Sequence, residues 1–255
     1  WVKGNISDTQ IVEETVKYNN IRSIIHLAAL QIPFCATDPV NGAITNVVGT
    51  VNIFEAAKKF GLKRLAYTSS IAAHGLLSNK KYMATLYGAY KVCDENIAYL
   101  YYQDWGVPSI GIRPGIVYGV GRDQGMTSKT TLSLLAAAAE KPFTIPFSGP
   151  ISALYVGEVA SALVKIVSKN RNSSKVFDMN GTFSTVEEWI SILKKIQPNA
   201  QIKVTGKILP FPFELSDAPL RDYLGNYGEV NLEQGIKDTF YSFKDLLFRG
   251  KISFD

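Results

Sequence analysis

The chain has 255 residues, 46% hydrophobic and 19% charged, which is enough for one large domain or a domain with a small lobe. Its net charge of +5 is spread without long runs of like charge, which argues against a nucleic-acid partner and suits an anionic cofactor or substrate. Two cysteines and two histidines are too few for a disulfide framework or a zinc site, and no apolar run approaches the roughly 20 residues that cross a membrane.

These totals predict a cytoplasmic protein with no metal, no membrane partner and no nucleic-acid partner. The apolar periodicity then predicts helices and strands that alternate along most of the chain. In chain order they are helix 8–19, strand 21–29, helix 40–60, strand 63–69, helix 84–104, strand 108–114, helix 152–168 and strand 175–179. Such alternation is typical of an α/β fold whose parallel sheet is covered on both faces.

The regular alternation breaks down in two places. After Gly119 the sequence becomes rich in polar residues and glycine, and from Thr182 onward helices and short extended pieces follow no fixed order. We therefore predict a first domain of residues 1–120, to which 150–181 return. Residues 121–149 and 182–255 are predicted to form a lobe that binds substrate.

Tyr87 and Lys91 lie four residues apart in a predicted helix, so their side chains share one face. A phenol with a pKa near ~10 is a poor base at neutral pH, but a nearby ammonium favours its phenolate, which could exchange a proton with a substrate hydroxyl. A chain with 13 tyrosines could show such a pair by chance. The pair gains weight because Thr68, Ser69 and Ser70 end a predicted strand shortly before this helix, where open α/β sheets place functional groups.

Five ordered segments resemble the extended short-chain dehydrogenase/reductase superfamily, also called the NAD-dependent epimerase/dehydratase family, over roughly residues 1–185. They are Gly4-Asn5-Ile6-Ser7-Asp8, Ile25-His26-Leu27-Ala28-Ala29, the helical segment 46–52, the pair formed by Tyr67-Thr68-Ser69-Ser70 and Tyr87 to Lys91, and the segment 113–119. The resemblance implies a doubly wound, Rossmann-type sheet and a cofactor that is NAD or NADP.

The resemblance also implies roles for individual residues. Tyr87 is expected to be the catalytic acid/base, Lys91 its partner and a ligand of the nicotinamide ribose, and Ser70 the hydroxyl that orients the substrate. Alignment on Gly75 favours Ser70 over Ser69. Further cofactor contacts are expected at Asn5, Ile6, Leu27, Ala28, Ala29, Asn46, Pro114, Gly115 and Val117, for which plain packing is the alternative.

The chain departs from the family pattern twice. Asn5 stands where the family usually has Asp, although an amide can also accept a hydrogen bond from adenine. The family also begins with a strand, a glycine-rich turn and a helix that holds the pyrophosphate, and no such unit precedes Gly4. We therefore expect that two strands and two helices are missing from the front, that apolar strand edges are exposed, and that this chain is inactive unless the missing unit is restored.

Polar residues near the predicted active site could face the substrate. Arg122, Gln124 and Thr127 follow the strand on the cofactor side, and an arginine suits a carboxylate or phosphate, although it could equally tie its own loop to a neighbouring Asp. Gln31 follows the first strand and His74 follows Ser70. Each is a candidate for substrate binding, with a structural loop residue as the alternative.

These observations predict an oxidoreductase that interconverts a hydroxyl and a carbonyl on a sugar, sugar acid or related small molecule. One alternative is a nucleotide-sugar 4-epimerase with tightly bound NAD. The other is an inactive fragment or a protein that binds the cofactor without catalysis. The resemblance also implies a homodimer paired through helices 40–60 and 84–104.

Overall fold

The computed structural model describes residues 1–75 and 82–254, which divide into two compact units. The first unit comprises residues 1–114, 161–179 and 216–227, and the second comprises 115–160, 180–215 and 228–254. The first unit therefore includes residues 216–227, which the sequence analysis assigned to the lobe. The binding of substrate by the second unit stays a prediction.

The first unit is an α/β structure built on a parallel sheet. Its elements are α1 (Thr9–Tyr18), β1 (Ile24–His26), α2 (Ile32–Thr37), α3 (Pro39–Ala43), a π-helical turn (Ile44–Val48), α4 (Gly49–Lys59), β2 (Leu65–Thr68), a 3₁₀ turn (Ile71–His74), α5 (Leu86–Trp105), β3 (Ser109–Pro114), the end of α7 (Val156–Val167), β7 (Ser174–Met179) and α9 (Ala218–Leu224). The strand order is β1-β2-β3-β7, and every neighbouring pair runs parallel. Parallel pairing brings the carboxyl ends of the strands to one edge, where the predicted site residues follow β1, β2 and β3.

Short-range signals set the limits of the helix that carries Tyr87 and Lys91. The Thr85 hydroxyl accepts a hydrogen bond from the Gly88 N–H at 3.0 Å and caps the start of α5. The helix ends at Gly106, whose φ of 63° is the left-handed conformation that glycine adopts without strain. The predicted helix 84–104 is thereby confirmed to within two residues.

The core of the first unit lies where α4 and α5 meet the sheet. Phe54 of α4, Tyr67 of β2 and Ala98 of α5 are almost completely buried. The rings of Phe54 and Tyr67 meet edge to face with centres 6.0 Å apart, an arrangement that aromatic pairs favour.

One edge of this sheet has no strand beside it in the described part of the chain. β1 pairs only with β2, and Ile25 is exposed. Beside this edge lies a groove of about 330 Å³, lined by residues from the segment before α1, from α1, from the segment 21–25 and by Ile53 of α4. The described residues thus present the exposed apolar edge that the sequence analysis expected.

The second unit mixes parallel and antiparallel pairing. It contains β4 (Ile116–Tyr118), a 3₁₀ turn (Met126–Ser128), α6 (Lys129–Ala138), β5 (Phe143–Ile145), β6 (Pro150–Tyr155), the start of α7, β8 (Thr182–Thr185), α8 (Val186–Ile196), β9 (Ile202–Val204) and α10 (Leu232–Phe248). β6 lies between parallel β4 and antiparallel β8, and β5 pairs with β9. Across the helices described in both units, none is long and apolar enough to span a membrane.

Three sequence-based predictions of secondary structure need correction. The predicted helix 152–168 begins only at Val156, because residues 150–155 form β6, whose fully buried centre lacks the alternation that marks a half-buried strand. The predicted helix 40–60 is interrupted by the π-helical turn. The predicted strand 21–29 is confined to Ile24–His26, where β2 provides its backbone partners.

Candidate active site

Tyr87 and Lys91 come together on one face of α5, as their spacing predicts. The Lys91 Nζ atom lies 5.8 Å from the centre of the Tyr87 ring. Tyr87 is half-buried, whereas Lys91 is only 2% exposed. A partly accessible phenol beside a buried ammonium is placed to exchange a proton with a bound molecule.

The Lys91 ammonium is held in place by two acceptors. It donates a hydrogen bond to the Thr68 carbonyl at the end of β2, at 2.9 Å, and another to the Asp94 carboxylate, at 3.2 Å. Because an ammonium has three N–H donors, one remains for a ligand. Asp94 was not singled out in the sequence, although its position three residues after Lys91 places it on the same helix face.

Ser70 lies at the start of the 3₁₀ turn that follows β2. Its hydroxyl oxygen accepts a hydrogen bond from the Ala72 N–H at 3.2 Å, which leaves the hydroxyl hydrogen available to a ligand. The turn lies against α5, because Gly88 has no side chain there: a Cβ atom would lie 2.5 Å from the Ala72 carbonyl oxygen. Gly88 therefore permits the close approach of the Ser70 turn to the helix turn that contains Tyr87.

The residues after β1 present an accessible strand end. Leu27 and Ala28 are exposed and Ala29 is partly exposed, so these three expected cofactor contacts are open to solvent. Gln31 immediately precedes α2. Asn46, by contrast, is fully buried in the π-helical turn and hydrogen-bonds the backbone just beyond Ala29, so it can support this strand end without touching a ligand.

An ionic network behind Ser70 was not predicted from the sequence. The Arg113 guanidinium donates two hydrogen bonds to the Glu95 carboxylate, at 2.7 and 2.6 Å, and a longer one to Asp178 at 3.4 Å. His74 pairs with Asp178 at 2.6 Å, and the buried Ser69 hydroxyl donates to Glu95. The network thus connects α5, β3 and β7 to both ends of the Ser70 turn.

The ion pairs within this network shift the pKa values of Asp178 and Arg113. Burial alone would raise the pKa of Asp178, but hydrogen bonds and charges from His74 and Arg113 hold it below its ordinary value. The hydrogen bonds from Arg113 to Glu95 are the main reason that the pKa of Arg113 is raised. The sequence offers only positional signals for these residues: Arg113 immediately precedes Pro114, Glu95 follows Lys91 by four residues, and Asp178 is a polar residue near the end of β7.

Asn5 and Ile6 lie in the segment before α1. The Asn5 side-chain oxygen accepts a hydrogen bond from the Ser7 N–H at 3.1 Å, and the exposed amide remains accessible. The Ile6 carbonyl accepts from the Asn52 side chain of α4 at 3.0 Å. The segment is therefore anchored to α4, and its proposed contact with adenine stays a prediction.

The remaining predicted residues divide between the two units. Pro114 ends β3 in the first unit, whereas Gly115, Val117, Arg122, Gln124 and Thr127 belong to the second. Val117 pairs with Leu154 between β4 and β6. The Arg122 guanidinium donates to the Gln124 carbonyl and, at 3.2 Å, to the Thr127 hydroxyl. Through these two contacts Arg122 ties its own loop together.

The chain is similar to known proteins over most of its length. The family model described as "NAD dependent epimerase/dehydratase family" matches residues 1–180. A protein of Methanocaldococcus jannaschii is 25% identical to this chain, over 98% of this chain and 81% of that relative. The solved structures that share the fold include Thermus thermophilus UDP-glucose 4-epimerase in complex with NAD (TM-score 0.81, 21% identity, 98% of this chain and 84% of that one) and Phytophthora infestans L-threonine dehydrogenase (TM-score 0.86, 19% identity, 94% and 85%).

Proposed function

Because this chain belongs to the NAD-dependent epimerase/dehydratase family of extended short-chain dehydrogenases/reductases, we propose that it interconverts a hydroxyl and a carbonyl group on a sugar, sugar acid or related small molecule. The family is nicotinamide-dependent, so the cofactor is NAD or NADP. The observation that carries the proposal is the approach of the Lys91 ammonium to the Tyr87 ring, 5.8 Å from its centre.

The residues of the first unit fit the nicotinamide end of such a cofactor. Lys91 has a donor left over after its bonds to Thr68 and Asp94, and a ribose offers hydroxyl oxygens as acceptors. Leu27 and Ala28, which are exposed at the end of β1, give a second contact surface. When bound, the cofactor accepts or returns the hydride of the reaction.

The chain's own residues then supply the proton chemistry. We assign Tyr87 to exchange a proton with the substrate oxygen, Lys91 to favour the phenolate, and Ser70 to donate a hydrogen bond to the same oxygen. Gln31, His74, Arg122, Gln124 and Thr127 are proposed substrate contacts. For His74 and Arg122 the present partners, Asp178 and the 122–127 loop, favour a structural role.

The test is an assay of reduced-nicotinamide absorbance with NAD or NADP and a panel of sugars and uronic acids. It uses this chain and the same chain extended at its front by a glycine-rich strand-turn-helix unit. In the form that turns over, Tyr87→Phe is expected to lose about 100-fold or more in kcat. Tyr90→Phe is the matched control, because it removes a hydroxyl of the same helix whose one hydrogen bond among the described residues is to the Pro39 carbonyl. Full activity in Tyr87→Phe would refute the assignment.

An epimerase is the second candidate, favoured by the structural similarity to UDP-glucose 4-epimerase. An epimerase oxidises and re-reduces one substrate, so it shows no net absorbance change while the sugar configuration changes. Parallel chromatography of a UDP-sugar substrate separates the two activities. Binding of the cofactor without any turnover in the extended chain would support the third candidate, a non-catalytic binding protein.

We also propose that the protein is a cytoplasmic homodimer. Helix α5 and the helices that precede it carry exposed apolar residues, among them Ile44, Val48, Tyr99 and Leu100. Exposed apolar side chains on neighbouring helices are typical of an interface. Leu100→Glu is expected to shift the sedimentation coefficient from dimer to monomer. A monomeric parent chain would contradict the proposal.

A further inference from the structure

A second buried charge lies directly beside the Lys91 ammonium. The Asp94 carboxylate is 3.2 Å from the Lys91 Nζ atom, and the two side chains are only 1% and 3% exposed. Both belong to α5, where residues three apart share a face. The electrostatic effect of the Lys91 ammonium on neighbouring groups therefore depends on the charge of Asp94, because water screens the interaction of two buried charges only weakly.

This arrangement opposes the role that Lys91 has toward Tyr87. An ammonium favours a neighbouring phenolate, whereas a carboxylate beside that ammonium offsets much of its positive charge. A buried lysine paired with an ionised aspartate is thus a weaker activator than the same lysine paired with a neutral aspartic acid. The charge state of Asp94 therefore determines whether Lys91 acts on Tyr87 as the weaker or the stronger activator.

We infer that Asp94 is a positioning residue that holds the Lys91 ammonium and sets how strongly this ammonium favours the Tyr87 phenolate. The inference rests on the proposed function, in which Tyr87 and Lys91 carry the proton transfer. Asp94 itself does not touch the substrate in this scheme. It acts through Lys91.

The surroundings of Asp94 raise its pKa, so its charge depends on pH near neutrality. Burial raises the pKa of Asp94 to about 6, although the neighbouring Lys91 acts in the opposite direction. The neighbouring Thr50 hydroxyl also lowers the pKa of Asp94, but this hydroxyl donates to the Asn46 carbonyl at 2.6 Å, and the buried Oδ1 atom of Asp94 has no hydrogen-bond partner among the described residues. A change of charge near neutral pH therefore falls within the range in which enzymes work.

Four other titratable groups near the pair are uncharged in that range. Burial lowers the pKa of His26 to about 3, so this imidazole is neutral. Burial also raises the pKa of Tyr67, Cys35 and Cys93, so these three groups remain protonated and neutral. Glu95 is held by two hydrogen bonds from Arg113. Asp94, by contrast, changes its charge near neutral pH.

The experiment measures the phenolate of Tyr87 directly and needs no substrate. The tyrosinate absorbance of the chain is recorded at one moderately alkaline pH, and the signal of the Tyr87→Phe variant is subtracted. Asp94→Asn is nearly isosteric and is expected to raise the Tyr87 phenolate signal about three-fold or more. Asp94→Ser removes the same charge and gives a second measurement if the Asn variant does not fold.

Two further variants make the outcome decisive. Asp104→Asn removes a carboxylate from the exposed end of the same helix and is expected to leave the Tyr87 signal unchanged. Lys91→Met is expected to reduce the signal. If Lys91→Met reduces it but neither Asp94 variant raises it, the role of Asp94 is refuted and the proposed function stands. If Lys91→Met leaves it unchanged, Lys91 does not act on Tyr87, and both proposals are refuted.

Discussion

Asn46 forms two hydrogen bonds with the backbone of Leu30: its side-chain oxygen accepts from the Leu30 N–H at 2.7 Å, and its side-chain nitrogen donates to the Leu30 carbonyl at 2.9 Å. The same residue lies in the π-helical turn Ile44–Val48, and such turns are frequent at functional sites. The buried Asn46 amide thus supplies the backbone hydrogen bonds that a neighbouring strand would otherwise give to the segment after β1. This gives Asn46 a structural reason to lie beside the proposed cofactor contacts.

Asn46→Ala is expected to lower the free energy of unfolding by about 2 kcal/mol, because it removes the partner of the part-buried Leu30 N–H and leaves the Leu30 carbonyl only the weak S–H donor of Cys35. Urea denaturation measures the change. Asn41→Ala is the matched control, since Asn41 is an exposed asparagine of α3 and should cost about 0.5 kcal/mol or less. Equal losses in the two variants would show that the Leu30 contacts contribute nothing.

Gly88→Ala is expected to disturb the turn that carries Ser70. The added Cβ would lie 2.5 Å from the Ala72 carbonyl oxygen, and a backbone atom cannot move away as a flexible side chain can. We expect a loss of about 2 kcal/mol in the free energy of unfolding and a lower kcat in the active form. Ala89→Ser, an exposed change in the same helix turn, should leave both values nearly unchanged.

The sequence predicted the elements that depend on local signals. The family resemblance was confirmed, and so was the parallel sheet with strands near residues 24, 65, 109 and 174. The face shared by Tyr87 and Lys91 followed from helical spacing alone. Local periodicity could not show that β6 is a strand, because a short run buried on both sides looks the same in a helix and in a strand.

The contacts that the sequence missed join residues far apart in the chain. Asp178 reaches His74 and Arg113 only because β7 pairs in register with β3, where Asp178 lies opposite Arg113. Nothing in the sequence near Asp178 marks this register. Similarly, Asp94 was visible as a residue of the helix, but its importance depends on burial, which spacing does not reveal.

Arg113→Lys is expected to destabilise the first unit by about 2 kcal/mol. Lysine cannot reproduce the two parallel hydrogen bonds that the Arg113 guanidinium donates to Glu95, in a pair whose side chains are only 22% and 14% exposed. Arg249→Lys is the control, because its ion pair with Asp245 is more than half exposed and exposed pairs contribute little. Thermal unfolding compares the two. A Tm for Arg113→Lys no lower than that of the control would rule out a stabilising role.

His26 is expected to make the fold sensitive to acid. Burial lowers its pKa to about 3, with Lys91 adding to the effect, so the folded state holds it neutral while its Nε2 atom lies 3.0 Å from the Thr50 hydroxyl. The unfolded chain binds the proton more readily, at a pKa near ~6.5. The stabilisation is therefore complete above pH ~6.5 and is lost as the pH falls toward about 3.

Asp94 has the opposite linkage, which dictates how the His26 prediction is measured. Because its pKa is raised in the folded state, to about 6, its contribution to stability is lost as the pH rises through that value, so the two effects partly cancel in the parent protein. The comparison must be between the parent and His26→Asn, whose amide can still bond Thr50. Between about pH 7.5 and about pH 4, the parent should lose about 3 kcal/mol more than the variant in urea unfolding experiments. Parallel losses would mean that His26 takes up its proton without unfolding the chain, and that the buried space around it admits water.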